Sequence, residues 1–412
     1  MAELREVVVV DAVRSAIGKS GRKGMEKGGQ LCQASAQDLL AGTMRGLLDR
    51  VHAKSPKFDE NDIEDVIVGC LSQIGEQGGN VARITSLLAG IPNTASACTV
   101  NQYCNAGLKA INFAARAIKC GDGDVFLCAG VELMSHYGMG SDMAVAMEAK
   151  YPIRMSSRMA EAGMGVAQGV CAEIISTNYG HTREQLDRFG MWSMQKAVEA
   201  DRKGWYADYI IPFEYEYEGQ KYRVEKDEVF RPKAVDDPEG YMADLAKLRP
   251  PFKPEDGMVT AGSSSQIVDG AAATLLMSAD KAEELGLEPL ARITGMASAG
   301  GEPVPMLLAP IPACKKAMAR AGKTIDDIDI IEPNEAFVSP LLVFAQELGY
   351  EAHDPRVNPT GGAVALGHPI GASGTVYFGE MCHHLKRTNG RAGMQMMCGG
   401  GGIGISTIVE AV

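Results

Sequence analysis

The first strong pattern along the chain is an unbroken apolar run, Val7 to Val10, that continues through Asp11-Ala-Val-Arg14. A short β-branched run of this kind reads as a buried strand, and the glycines from Gly18 to Gly29 read as the loop after it. Apolar positions recur at helical spacing from Ala36 to Val51. Two further stretches, Asp62 to Gly69 and Asp124 to Gly130, enter from acidic residues, turn apolar and close on glycine, as short strands do. Strands alternating with helices predict a layered α/β architecture.

The same grammar returns late in the chain. Ile325-Asp-Asp-Ile-Asp-Ile-Ile-Glu332 echoes the segment at Asp62, again behind a helical stretch, and Ile403 to Val409 supplies a closing strand. An acidic turn before a strand is common enough to recur by chance, so the echo raises duplication as an expectation without establishing it. Between about Met134 and Ser265 the texture changes: methionines cluster from Met134 to Met164, a charged helical run spans Thr182 to Asp201, and Asp208 to Phe230 alternates like strands. This stretch reads as a large insertion. Its methionines read first as flexible packing and second as the wall of an adaptable pocket.

At 412 residues, with 46% hydrophobic and 22% charged positions, the chain exceeds one core, and two or more packed domains are expected. A net charge of -12 argues against nucleic acid or an anionic membrane as partner and leaves an anionic small molecule only where basic residues cluster. No stretch approaches the roughly 18 uninterrupted apolar residues of a membrane span. The N-terminal region, acidic and with only four valines in a row, does not resemble a signal peptide, so a cytoplasmic location is expected. Ten cysteines without Cys-x-x-Cys spacing suit a reducing compartment and form neither a disulfide framework nor a zinc pattern; most should be buried and inert.

Four segments carry candidate chemistry. Thr99-Val-Asn-Gln-Tyr-Cys104 leads into a small-residue helix, which puts Cys104 near a helix N-terminus, where the dipole and a nearby histidine favour a thiolate of lowered pKa. Taken alone, a cysteine in a helix is more often core packing. Asn358 to Gly374 holds five glycines around His368-Pro369, a density that packing does not require and that lets a ligand approach the backbone. Cys398 precedes four glycines, Gly399 to Gly402, whose N–H groups suit a developing oxyanion, or simply a tight turn. Asn334 ends the strand from Ile328 to Glu332, a position where α/β enzymes place functional side chains, although an asparagine there is more often a helix cap. His383-His384 reads as part of a surface helix, and adjacent histidines lack the i, i+4 spacing of a helical metal site. No metal site is expected.

Together Cys104 with Gly107 and Leu108, Asn334-Glu-Ala-Phe, Gly367-His-Pro-Ile-Gly-Ala-Ser-Gly and Cys398-Gly-Gly-Gly resemble the thiolase family, over essentially the full chain. The resemblance implies two related layered α/β halves (α-β-α-β-α) with an inserted loop domain: residues 1–133 plus about 266–290, a loop domain over 134–265, and 291–412. It implies a CoA-dependent acyltransferase that cleaves or forms a 3-oxoacyl-CoA through an acyl-cysteine. Cys104 would be the nucleophile, His368 its base and Cys398 the second acid/base. One oxyanion hole would use His368 and a water held by Asn334, the other the N–H groups of Cys104 and Gly400. Arg231, Phe252, Ala261 and Ser265 would contact coenzyme A, a substrate beyond which no cofactor is implied, with Arg231, Lys233, Lys247, Arg249 and Lys253 as the basic patch. A homodimer or homotetramer is implied, with an accessory subunit as a further partner. Asn105-Ala106, Gln266 and the stretch from His136 to Gly163 depart from the family pattern on the acyl and pantetheine side. A ketoacyl synthase-type condensing enzyme and a non-catalytic acyl-CoA-binding subunit are the alternative readings; Cys398 argues against the first and the full set of catalytic positions against the second.

Overall fold

The computed structural model describes residues 4–20 and 28–412, so residues 21–27 of the expected glycine-rich loop lie outside the described residues. The first half comprises β1 (Val7–Arg14), β2 (Gly18–Lys19), α1 (Ala36–Lys54), β3 (Ile63–Gly69), α2 (Val81–Leu88), β4 (Ser96–Val100), α3 (Ala106–Cys120) and β5 (Val125–Leu133). Next come α4 (Ser141–Glu148), α5 (Gln168–Asn178), α6 (Arg183–Arg202), a hairpin of β6 (Phe213–Tyr217) and β7 (Gln220–Val224), α7 (Lys233–Asp236) and α8 (Pro238–Ala246). The chain then returns through β8 (Val268–Ser278) and α9 (Ala279–Glu284). The second half holds β9 (Ala291–Gly300), α10 (Pro310–Ala321), β10 (Ile330–Pro333), α11 (Val338–Leu348), α12 (Ala363–Leu366), α13 (Ser373–Thr388), β11 (Ala392–Gly399) and β12 (Ile403–Glu410).

Duplication is written into the sheet. From the centre outward one half runs β1-β8-β5-β3-β4 and the other β9-β12-β11-β10. The pairing senses match step for step: β1–β8 and β9–β12 antiparallel, β8–β5 and β12–β11 antiparallel, β5–β3 and β11–β10 parallel. The parallel β3–β4 pair has its counterpart in the parallel bridge between Ile331 and Val357. The acidic echo seen in the sequence is part of this repeat, because β3 and β10 each follow a one-turn 3-10 helix, Glu60–Asp62 and Ile325–Asp327. Val8 and Val9 pair with Arg292 and Ala291, joining the halves into one mixed sheet.

The alternation of side chains along each strand divides the core into layers. Val7 and Val9 of β1 face a central cluster with Leu108 and Ile111 of α3 and Phe378 and Met381 of α13, whereas Val8 and Val10 face an outer cluster with α1. On the second half Met394 and Met396 of β11 face an outer cluster with α10 and α11, and Met397 faces the centre. The result is the expected α-β-α-β-α layering, with α3 and α13 in the middle.

Those two helices cross at glycines. A β-carbon on Gly374 would stand 2.1 Å from the Leu108 nitrogen, and one on Gly107 would stand 2.8 Å from the Thr375 nitrogen. Only residues without side chains allow this approach, and it brings the N-terminal ends of α3 and α13 side by side. The crossing also corrects the reading of His383-His384 as a surface pair: α13 is central, His384 is buried, and His383 Nε2 lies 2.7 Å from the Ala12 carbonyl oxygen. The insertion's methionines do not pack as a core either. Met139, Met147 and Met155 are exposed, while Met134 alone of this group is buried.

Candidate active site

Cys104 sits at a sharp turn between β4 and α3. Tyr103 adopts a left-handed φ of 52°, held as its N–H donates to the Asn101 side-chain oxygen at 2.9 Å, and Asn105 then caps α3. The thiol is only 4% exposed and opens on a cavity of about 570 Å³ that His368 also lines. The expected lowering of its pKa is not found. Burial pushes the Cys104 thiol far above its ordinary value, a charge on Cys398 opposes ionisation further, and a hydrogen bond from Gln168 offsets only part of this. Desolvation is the largest cause of the shift in a site this closed.

His368 lies in the loop between α12 and α13, where Gly367 (φ 96°) turns the chain and the His368 N–H donates to the Gln266 carbonyl at 3.0 Å. Its Nδ1 is 2.6 Å from the Ser373 hydroxyl, and the buried Nε2 has no protein partner. Burial lowers its pKa to about 4, so the imidazole is neutral at physiological pH.

Cys398 ends β11, next to the Gly399–Gly402 turn into β12, and it is buried, with its pKa raised by desolvation to about 11. Asn334 follows β10 and is not a cap, since α11 begins behind Phe337. Both of its buried amide atoms lack a fixed hydrogen-bond partner, while the amide's proximity favours the Cys398 thiolate. Behind it Glu335 is fully held: Ser193 Oγ and the Val364 N–H donate to one carboxylate oxygen at 2.7 and 3.0 Å, and Asn358 Nδ2 to the other at 2.6 Å.

Arg231, Phe252, Ala261 and Ser265 all line the cavity shared by Cys104 and His368. Gly400 lines a second cavity of about 870 Å³, which shares Cys104, Gln168, Phe252, Phe337 and Ile370 with the first. The two meet at the Cys104 thiol. The basic patch is weaker than its sequence suggests: Lys233 and Lys247 pair with Asp244, and Lys253 with Asp256. Lys19 joins Arg231 on the cavity wall instead. Of the departures from the family pattern, Gln266 lines the first cavity and Asn105 lines neither. Asn105 is fully buried, and Gln266 Nε2 donates to the Ala365 carbonyl at 2.5 Å, tying down the His368 loop.

Sequence reasoning missed Gln168 and Glu132. Gln168 opens α5 and contacts the Cys104 thiol from the insertion. Glu132 was visible as the lone acid in an apolar strand. Its carboxylate accepts the N–H groups of Leu71, Ser72 and Gly371 at 2.9 to 3.0 Å, fastening the His368 loop to the loop after β3.

A duplicated α/β fold whose two central helices deliver thiol and imidazole to one bent cavity defines a class of acyl-transferring enzyme. The thiolase N-terminal domain family matches residues 7–280 and the thiolase C-terminal domain family residues 287–411. The chain belongs to the thiolase family and is a CoA acyltransferase of the thiolase type. It is similar to the 3-ketoacyl-CoA thiolase of Marinomonas sp. (strain MWYL1), 44% identical over 99% of this chain and 98% of the relative. It is also similar to the 3-ketoacyl-CoA thiolases of Alcanivorax borkumensis, 42% identical over 99% of both chains, and Pseudoalteromonas translucida, 43% identical over 98% of both.

Proposed function

We propose that the enzyme cleaves or forms 3-oxoacyl-CoA thioesters, with Cys104 as the acyl carrier, His368 as its base and Cys398 as the acid/base at the α-carbon. The observation that carries this reading is the meeting of two cavities at Cys104, one lined by the four coenzyme A contacts and His368, the other by Gly400. In cleavage, His368 Nε2 takes the Cys104 proton as sulfur attacks the 3-oxo carbon. The C2–C3 bond then breaks, its electron pair goes to C2, and Cys398 protonates that carbon. The Cys398 thiolate takes the proton of an incoming coenzyme A thiol, which attacks the acyl-Cys104 thioester, and His368 returns its proton to the departing Cys104 sulfur.

Burial holds the Cys104 thiol in its neutral form, so the scheme gives His368 the task of taking its proton. The shift itself is modest chemistry, since the acyl group passes between sulfurs of similar basicity. Making the carbanion is harder, and an oxyanion hole donor contributes roughly 3 to 4 kcal/mol there. His368 Nε2 with a water held by the Asn334 amide forms one hole, and the backbone N–H groups of Cys104 and Gly400 the other. Arg231, Phe252, Ala261 and Ser265 hold coenzyme A, with Phe252 braced edge-on against Phe337 at 5.9 Å.

Coenzyme A enters as substrate, with no further cofactor in the scheme. The loop domain over 134–265, a homodimeric or homotetrameric assembly, an accessory subunit and a cytoplasmic setting complete the reading. Among the described residues no helix is long and apolar enough to cross a membrane. The test is thiolysis of a panel of 3-oxoacyl-CoAs by free coenzyme A, followed by loss of substrate enolate absorbance. Cleavage of one or more members is expected, and cleavage of none, with the accessory subunit supplied, contradicts the reading.

A further inference from the structure

Asn105, next to the nucleophile, faces away from both cavities. Its side chain is fully buried between the start of α3 and the end of β11. The amide lies beside two carbonyls, and with its nitrogen turned toward them, in place of a longer 3.4 Å contact to the Ile403 carbonyl, it donates to the Cys398 carbonyl at 3.0 Å and the Met397 carbonyl at 3.2 Å. On one side Met397 and Cys398 pair with Ile405 and Gly404 of β12. β10 pairs with β11 only as far as Pro333 with Met396, so beyond Met396 β11 lacks that neighbour. Space is matched as closely as polarity, because a β-carbon on Gly399 would stand 2.9 Å from the Asn105 amide.

The backbone of Asn105 is committed as well. Its N–H donates to the Gln102 carbonyl at 3.1 Å, and its carbonyl accepts the Lys109 N–H at 2.8 Å. One residue therefore belongs to the turn that carries Cys104 and, through its side chain, to the strand end that carries Cys398. The path from Cys104 to Cys398 through this contact crosses from one half of the duplicated fold to the other. In sequence the two cysteines stand 294 positions apart.

We propose that Asn105 is a positioning residue that fixes the Cys398 thiol relative to the acyl group on Cys104. Its effect falls more heavily on the carbon-carbon step, in which Cys398 moves a proton at the weakly acidic α-carbon, than on acyl transfer between coenzyme A and Cys104, in which Cys398 handles only the more acidic coenzyme A thiol. This rests on the roles proposed above for the two cysteines. Asn112 provides a comparison, since it lies two turns along the same face of α3, is buried and accepts the Thr407 hydroxyl at 2.7 Å, but touches neither cysteine's strand end.

The experiment compares the full-length enzyme with Asn105→Ala, Asn105→Ser and Asn112→Ala in two assays: exchange of labelled coenzyme A into acetyl-CoA, and thiolysis of a 3-oxoacyl-CoA. Loss of two hydrogen bonds predicts that Asn105→Ala lowers thiolysis on the order of 10- to 100-fold more than exchange. Asn105→Ser, with one donor, falls between, and Asn112→Ala lowers the melting temperature while leaving the ratio of the two rates unchanged. Equal losses in both assays overturn the proposal, as does failure of both Asn105 variants to fold, which makes the residue purely structural. If the unaltered enzyme exchanges label without acylating Cys104, the roles proposed for the cysteines fail instead.

Discussion

The Ser373 hydroxyl stands 2.6 Å from His368 Nδ1 and donates its own proton to the Pro369 carbonyl at 3.0 Å. With its hydrogen so occupied, the hydroxyl accepts from Nδ1–H, which leaves the lone pair of the neutral imidazole on Nε2, the atom without a protein partner. Ser373→Ala frees the ring to change tautomer and rotate. A hydrogen bond to a group that becomes charged contributes roughly 1.5 to 3 kcal/mol, so kcat/KM for thiolysis should fall about 10- to 100-fold with the melting temperature nearly unchanged. Steady-state kinetics beside thermal unfolding checks this.

In the proposed mechanism burial of His368 sets the acid side of the pH profile. Its pKa falls from the ordinary 6.5 to about 4, because the closed site disfavours imidazolium. Thiolysis kcat/KM should therefore show no loss of base through pH 6.5 on acidification, and the acid limb should begin near pH 4. The linked stability has a definite sign. An unfolded chain takes up this proton near 6.5 and the folded one only near 4, so the contribution of neutral His368 is present above 6.5 and lost as pH falls through that window. Relative to His368→Phe, the unaltered enzyme should lose stability between those values in urea unfolding.

Much of the fold was legible because patterning and layering agree. The four valines of β1 alternate between two cores, and the acidic entry to β3 recurs before β10. The candidate residues Cys104, His368, Asn334 and Cys398 stood out in the sequence because they stand at element ends beside unusual glycine density. Charge misled where partners lie far off in sequence. The stretch around His383-His384 read as a surface helix, yet α13 is central and its Glu380 carboxylate is buried against Arg14 at 2.9 Å. Lys233 read as part of an anion patch, but the packing of α7 on α8 gives it Asp244. Nor did position at a helix N-terminus tell how deeply Cys104 would be buried.

Glu132 fastens two loops that wall the site. Glu132→Ala leaves the N–H groups of Leu71, Ser72 and Gly371 buried without an acceptor. Each such orphan costs about 1 to 3 kcal/mol, so unfolding free energy in urea should drop by at least ~3 kcal/mol, with Glu132→Gln, which keeps an acceptor, losing less.

The helix crossing gives a steric prediction. A β-carbon at Gly374 meets the Leu108 backbone nitrogen at 2.1 Å, and no side-chain rotation relieves it. Gly374→Ala should destabilise the fold by at least ~1 to 3 kcal/mol and, where folded, reduce acylation of Cys104 by separating it from His368. Thermal unfolding and acyl labelling together report both effects.

The central claim is that Cys104 carries the acyl group. Peptide mass spectrometry after brief exposure to acetyl-CoA tests it most directly, on the unaltered enzyme, Cys104→Ser and Cys398→Ala. An added acetyl group on the peptide containing Cys104 is predicted, absent from Cys104→Ser and retained in Cys398→Ala, which nonetheless fails to form or cleave the carbon-carbon bond. Acetyl label on any other residue of Cys104→Ser at the rate seen in the unaltered enzyme would contradict it.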